Sequence, residues 1–232
     1  MKRILKYFSP FEWALWLASL LIITAFFFLF DREGYLTLVA SLIGVTSLIF
    51  AAKGNPTGPL LMVFFSILYG IISFSFAYYG EMITYLGMTL PMSVTALVAW
   101  LKNPFKGKKS EVEVNRITKR ETAFALILTA AVTFAFYFIL EAFDTANLIP
   151  STVSVTTSFL AVYLTWRRSP YYALAYAAND VVLIVLWGMA SFADLSYLSV
   201  TVCFAVFLVN DLYGFVSWRK MQARQGESAR SY

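Results

Sequence analysis

Long apolar runs alternate with short polar breaks along the whole chain. Eight runs approach or reach the length at which a helix crosses the hydrocarbon core, about 20 residues. They are 11–30, 35–52, 59–79, 82–101, 121–143, 147–166, 171–190 and 195–218. The breaks carry charges or helix stops: Asp31-Arg32-Glu33-Gly34, Lys53-Gly54-Asn55-Pro56, Gly80-Glu81, a basic stretch over 102–120, Asp144-Thr145, Arg167-Arg168-Ser169-Pro170, and a short one around Asp194. Pro59 and Pro170 fall at or near helix starts, where a missing N–H costs little. The pattern predicts an all-α membrane protein of eight transmembrane helices.

Charge placement predicts the orientation. With the first segment inside, the inside breaks hold Lys2, Arg3, Lys6, Lys53, Lys102, Lys106, Lys108, Lys109, Arg116, Lys119, Arg120, Arg167, Arg168, Arg219, Lys220, Arg224 and Arg230. That is 17 of the 18 basic residues, and only Arg32 falls outside. Basic residues resist translocation, so both termini are expected in the cytoplasm of a cell-membrane protein. Miscounting one span would scramble this alternation. The first run lacks a small-residue cleavage site and is expected to be a retained span.

Composition agrees with the class. Hydrophobic residues make up 60% of the 232 residues and charged ones 13%, against about 25% charged in soluble domains. The net charge of +5 follows the inside loops, so nucleic-acid binding is not expected. Histidine is absent and Cys203 is the one cysteine, which excludes an intrachain disulfide, a Cys/His metal cluster and a histidine general base. Cys203 is expected to be a small buried hydrophobe. Gly107-Lys108-Lys109-Ser110 lacks the earlier glycine and the strand of a phosphate-binding loop. No enzyme activity and no cofactor is expected.

An internal repeat shows at an offset of 118 residues. Residues 63–102 align with 181–220 without a gap, with ten identities in 40 positions. Leu68 and Gly70 fall on Leu186 and Gly188, Ser73-Phe74 on Ser191-Phe192, and Trp100 and Lys102 on Trp218 and Lys220. Two helix triplets separated by one crossing share an orientation, which makes a parallel repeat, an architecture of transporters. The expected organisation is an extra N-terminal peripheral helix (1–34), a first triplet (35–102), a basic loop with a linker helix (103–146), a second triplet (147–220) and a tail (221–232). The fold is thus one extra helix plus a 3-1-3 parallel-repeat bundle.

Charged groups inside spans are costly and usually face a cavity. Asp180 and Asp211 stand well inside apolar runs, each after an asparagine: Asn179-Asp180 and Asn210-Asp211. Asn210 and Tyr213 lie three apart on one helix face. An amide and a phenol together suit a ligand with a heteroaromatic ring and sugar hydroxyls. By the 118 offset, Asn210, Asp211 and Tyr213 match Met92, Ser93 and Thr95, so the two halves contribute unequally. The first half offers Glu81, Thr84, Tyr85, Thr89 and Ser93 instead, on a helix interrupted by Pro91, which frees a backbone carbonyl. Tyr69, Tyr85 and Trp187 are the aromatic cavity candidates.

The stretch 79–91, running Tyr79-Gly80-Glu81-Met82 to Thr89-Leu90-Pro91, with Trp100 and Asn210-Asp211-Leu212-Tyr213-Gly214, resembles the PnuC family of vitamin transporters over about 35–220. The resemblance implies a SWEET-like bundle, a homotrimer, and uptake of nicotinamide riboside by facilitated diffusion, with trapping by a cytoplasmic kinase. It implies substrate contacts at Asn210 and Tyr213. Tyr85 and Met88 stand where the riboside carriers are richer in tryptophan. The expected site is Asn210, Tyr213, Asp211, Asn179, Asp180, Trp187, Tyr69, Tyr85 and Thr89. Thiamine or a deoxynucleoside on the same fold, a proton-coupled symporter using Asp180 and Asp211, and an ion channel are the competing expectations.

Overall fold

The computed structural model describes residues 7–75, 79–145 and 147–230. Lys2, Arg3 and Lys6, residues 76–78 of the third expected span, and the side chain of Arg230 lie outside what is described. Among the described residues eight helical segments are long and apolar enough to cross a membrane. They are α1 (Pro10–Phe26, continued by a π turn Phe27–Asp31), α2 (Tyr35–Ala52), α3 (Thr57–Ser75), α4 (Tyr79–Lys102), α5 (Lys119–Ala142), α6 (Leu148–Trp166), α7 (Tyr172–Ser191) and α8 (Leu198–Arg230, entered through a 3₁₀ turn Leu195–Tyr197). Two short strands, β1 (Pro104–Phe105) and β2 (Lys108–Val112), pair antiparallel in the basic loop.

Local signals set the ends. Ser9 caps α1 through a reciprocal box with Glu12, and Pro10 fills the first turn, where no N–H is needed. Thr118 caps α5 by accepting from the Glu121 backbone N–H. Pro91 does not break α4. Its ring removes one N–H, and the preceding residues Thr84–Thr89 widen into a π turn that absorbs the mismatch while the helix continues.

α2 packs on α3, α3 on α4, α6 on α7 and α7 on α8; α4 meets α6, α8 meets α2, and α5 lies on α6. α1 packs against both α2 and α8. Large apolar side chains such as Leu21, Ile127, Phe134 and Ile149 remain about 70% exposed. Lipid is the solvent that suits such a surface.

The turns after α2 and α6 match residue for residue. Gly54 and Arg168 both adopt positive φ, 65° and 56°. Gly54 N donates to Ala51 O (2.8 Å) and Arg168 N to Thr165 O (3.0 Å). Asn55 N donates to Phe50 O (3.1 Å) and Ser169 N to Leu164 O (3.0 Å). The loop after α4 then binds both turns, because Val112 N donates to Gly54 O (2.8 Å) and Asn115 N to Arg168 O (3.0 Å). This end of the bundle also holds Lys53, Lys106 and Arg167; it is the basic end.

Candidate transport site

At the opposite end, a cavity of about 510 Å³ opens between the helix ends. Four carboxylates line it: Asp31 and Glu33 from the turn before α2, Glu81 from α4 and Asp194 from the turn before α8. No lysine or arginine is among the lining residues. Arg32 sits between two of the acids in sequence, yet its Nε donates to Phe28 O (2.7 Å). Asp31 Oδ1 accepts from Gly34 N (3.0 Å) and shapes its turn. Asp194 is held below the usual carboxylate range by the Ser196 backbone N–H (2.8 Å), so it keeps its charge.

Deeper in, the walls become aromatic. Tyr69 from α3, and Trp187 and Tyr197 at the α7–α8 end, line the cavity, with the Trp187 and Tyr197 rings 5.4 Å apart. Tyr69 packs at a tilt against Tyr85 (4.8 Å) and Phe65 (5.0 Å), which back it with further π surface. Such walls suit a flat, positively charged ring. Among the described residues no three Cys, Asp or Glu side chains gather as a metal would require.

The expected residues divide into three groups. Tyr69 and Trp187 line the cavity, and Tyr85 backs it. Asp180 and Asp211 lie deeper, 3% and 4% exposed, and neither lines the cavity. The remaining residues bond to helices. Asn179 Oδ1 accepts from Ser154, Thr157 and Ser158 of α6 at 2.9–3.0 Å. Thr89 Oγ1 donates to Thr84 O within the π turn (3.2 Å). Asn210 and Tyr213 do share a face, and that face meets α1: Asn210 Nδ2 donates to Ser19 Oγ (2.9 Å) and Tyr213 Oη to Glu12 Oε1 (2.8 Å).

Comparison with known proteins decides the family. A family model described as nicotinamide mononucleotide transporter matches residues 34–220. The chain belongs to this family, PnuC. The match begins where α1 has ended. Two PnuC relatives are named nicotinamide riboside transporters. The one from Neisseria mucosa (strain ATCC 25996 / DSM 4631 / NCTC 10774 / M26) is 28% identical over 218 residues, covering 91% of this chain and 82% of the relative. The one from Haemophilus influenzae (strain ATCC 51907 / DSM 11121 / KW20 / Rd) is 22% identical, covering 93% and 92%. A crystal structure described as the vitamin B3 transporter PnuC shares the fold, with a TM-score of 0.81, 23% identity and 94% coverage of both chains. This PnuC member is therefore a multi-pass transmembrane transporter.

Asp31, Glu33 and Asp194 were not singled out by sequence. They stand in breaks far apart along the chain, and only the packing of helix ends brings them to one mouth. The signal available was their position: all three fall in breaks on the side opposite the basic loops.

Proposed function

We propose that the chain carries nicotinamide riboside across the cell membrane by facilitated diffusion, with the basic end in the cytoplasm. One observation carries this reading: the cavity at the other end combines aromatic walls with four carboxylates and no basic residue. Nicotinamide riboside is a flat aromatic cation bearing sugar hydroxyls. Trp187 and Tyr69 stack on its ring, the carboxylates attract its charge, and Asp180 and Asp211 lie below to offset that charge or accept from the ribose. A phosphorylated mononucleotide brings anionic oxygens to the same carboxylates, which repel them, so the riboside is favoured.

An uncoupled carrier only equalises concentrations, so accumulation requires a cytoplasmic kinase that phosphorylates the product. The working assembly is a homotrimer, as the family resemblance implies. Thiamine is also an aromatic cation and is the serious competitor.

Binding to purified protein tests the reading. Nicotinamide riboside, its mononucleotide, thiamine, riboflavin and an uncharged deoxynucleoside are titrated in turn. Saturable binding of the riboside, with the mononucleotide much weaker, is the expected result. Preference for thiamine or for the mononucleotide overturns it.

A further inference from the structure

A smaller side pocket adjoins the cavity and is rich in hydroxyl groups. It measures about 30 Å³ and lies between α4, the turn after α5, α6 and α7. Glu81 lines both spaces. On α7, Leu186 borders the pocket and the next residue, Trp187, borders the cavity. Tyr85 of the pocket packs on Tyr69 of the cavity (4.8 Å). The hydroxyls differ in what they have left to offer. Thr84 Oγ1 donates to Gly80 O (3.0 Å), and Ser154 Oγ and Ser158 Oγ both donate to Asn179 Oδ1 (3.0 Å each). These three keep only lone pairs. Thr145 Oγ1 is buried and has no hydrogen-bond partner among the described residues. Its proton therefore lacks an acceptor, which is costly in a buried place. Its position is fixed from two sides. Thr145 N donates to Leu140 O (3.0 Å), and Gly80 lets the turn close onto α4, because a Cβ there would run into Thr145 Oγ1.

We propose that this pocket receives the 5′-hydroxymethyl arm of the ribose, which makes Thr145 and Glu81 determinants of specificity for a free riboside. The arm's oxygen accepts from Thr145 Oγ1–H and donates to the Glu81 carboxylate, so both pocket groups find the partner type they need. Size agrees with this. One water-sized group needs about 10–15 Å³, so the pocket takes about two such groups, the bulk of a CH₂OH arm. A phosphate on the same arm adds phosphorus, further oxygens and negative charge beside Glu81, and is rejected by both space and charge. The assignment rests on the riboside reading above and gives its preference over the mononucleotide a place in the fold.

The test is titration of the purified full-length protein with nicotinamide riboside, its 5′-deoxy analogue and its 5′-O-methyl ether. In the wild type the 5′-deoxy analogue binds about tenfold more weakly than the riboside, and the ether binds more weakly still because its methyl group exceeds the pocket. This series needs no variant. Thr145→Val keeps the shape and removes the hydroxyl. It lowers riboside affinity towards that of the 5′-deoxy analogue and leaves the analogue's own affinity unchanged, which shows that the rest of the site is intact. Thr145→Ser keeps the hydroxyl and keeps the discrimination. Equal binding of riboside and 5′-deoxy analogue by the wild type overturns the proposal and leaves the riboside reading standing. Full discrimination in Thr145→Val also overturns it, by placing the arm elsewhere. If the wild type binds no riboside at all, the substrate reading fails and the assignment of this pocket falls with it.

Discussion

Trp100 and Trp218 hold each other and the opposite half of the bundle at once. Their rings lie 5.2 Å apart, and each is fully buried. Trp100, at the end of α4, donates Nε1–H to Thr165 O at the end of α6 (2.8 Å). Trp218, on α8, donates Nε1–H to Ala51 O at the end of α2 (2.7 Å). Each accepting carbonyl also takes a turn N–H, from Arg168 and Gly54 respectively. The last helix of each triplet thus fastens to the first helix of the other. This reciprocity is what a parallel repeat requires.

The reciprocity predicts matched losses. Trp100→Phe and Trp218→Phe each remove one hydrogen bond and leave the carbonyl its turn N–H, so each costs about 1 kcal/mol. The double variant loses less than the sum, because the rings touch. Thermal unfolding in detergent measures all three. Loss from one variant only would argue against equivalent halves.

Aromatic walls make a second prediction. Trp187→Ala removes the larger ring of the cavity and weakens riboside binding by about 1–2 kcal/mol, on the order of tenfold in Kd. Trp187→Phe retains a ring face and loses less. A binding assay decides it, and equal affinity of wild type and Trp187→Ala would place the ligand elsewhere.

The acidic mouth predicts a charge- and salt-dependent effect. Asp31→Asn combined with Asp194→Asn raises the KM for a cationic substrate several-fold at low ionic strength and less at high ionic strength, because exposed charges are screened. Uptake of an uncharged nucleoside, where detectable, does not change. The sign for pH follows from Asp194, whose folded value is depressed by Ser196. Its charge is present at and above the ordinary aspartate range near 3.9 and is lost only as pH falls below it. Proteoliposome uptake between neutral and mildly acidic pH should therefore show no loss assignable to Asp194.

Much of this was legible in the sequence, for physical reasons. Bilayer thickness forces span length, so apolar runs marked all eight crossings, and the basic loops marked their alternation. The hairpin Pro104–Val112 was not legible, since its backbone is satisfied from afar by Gly54 O and Gln225 Nε2. The extension of α8 to Arg230 was missed because it carries no apolar run. Its stability draws on contacts such as Arg224 and Gln225 with Glu111. At the site, the choice of aromatic residues within the spans reached Tyr69 and Trp187, which share the cavity. Spacing alone could say that Asn210 and Tyr213 share a face, but not which neighbour that face meets.

That neighbour supplies the last prediction. Glu12 on α1 is 4% exposed. Its carboxylate accepts from Tyr213 Oη (2.8 Å), from Lys53 Nζ (2.9 Å) and from Ser9 N (2.6 Å). Lys53 follows α2 and Tyr213 sits on α8, so Glu12 ties α1 to both triplets near the basic end. Tyr213→Phe leaves the carboxylate two partners and costs about 1 kcal/mol. Lys53→Met removes the counter-charge from a buried carboxylate and costs more, about 2 kcal/mol, because the lysine is only partly buried. Asn210→Ala loses the bond to Ser19 and behaves like Tyr213→Phe. Parallel melts and riboside titrations separate the two roles open to this face. Lowered stability with unchanged affinity is expected if the face holds α1. Lowered affinity at unchanged stability would instead make Asn210 and Tyr213 ligand contacts, reached in a conformation in which α1 has moved away.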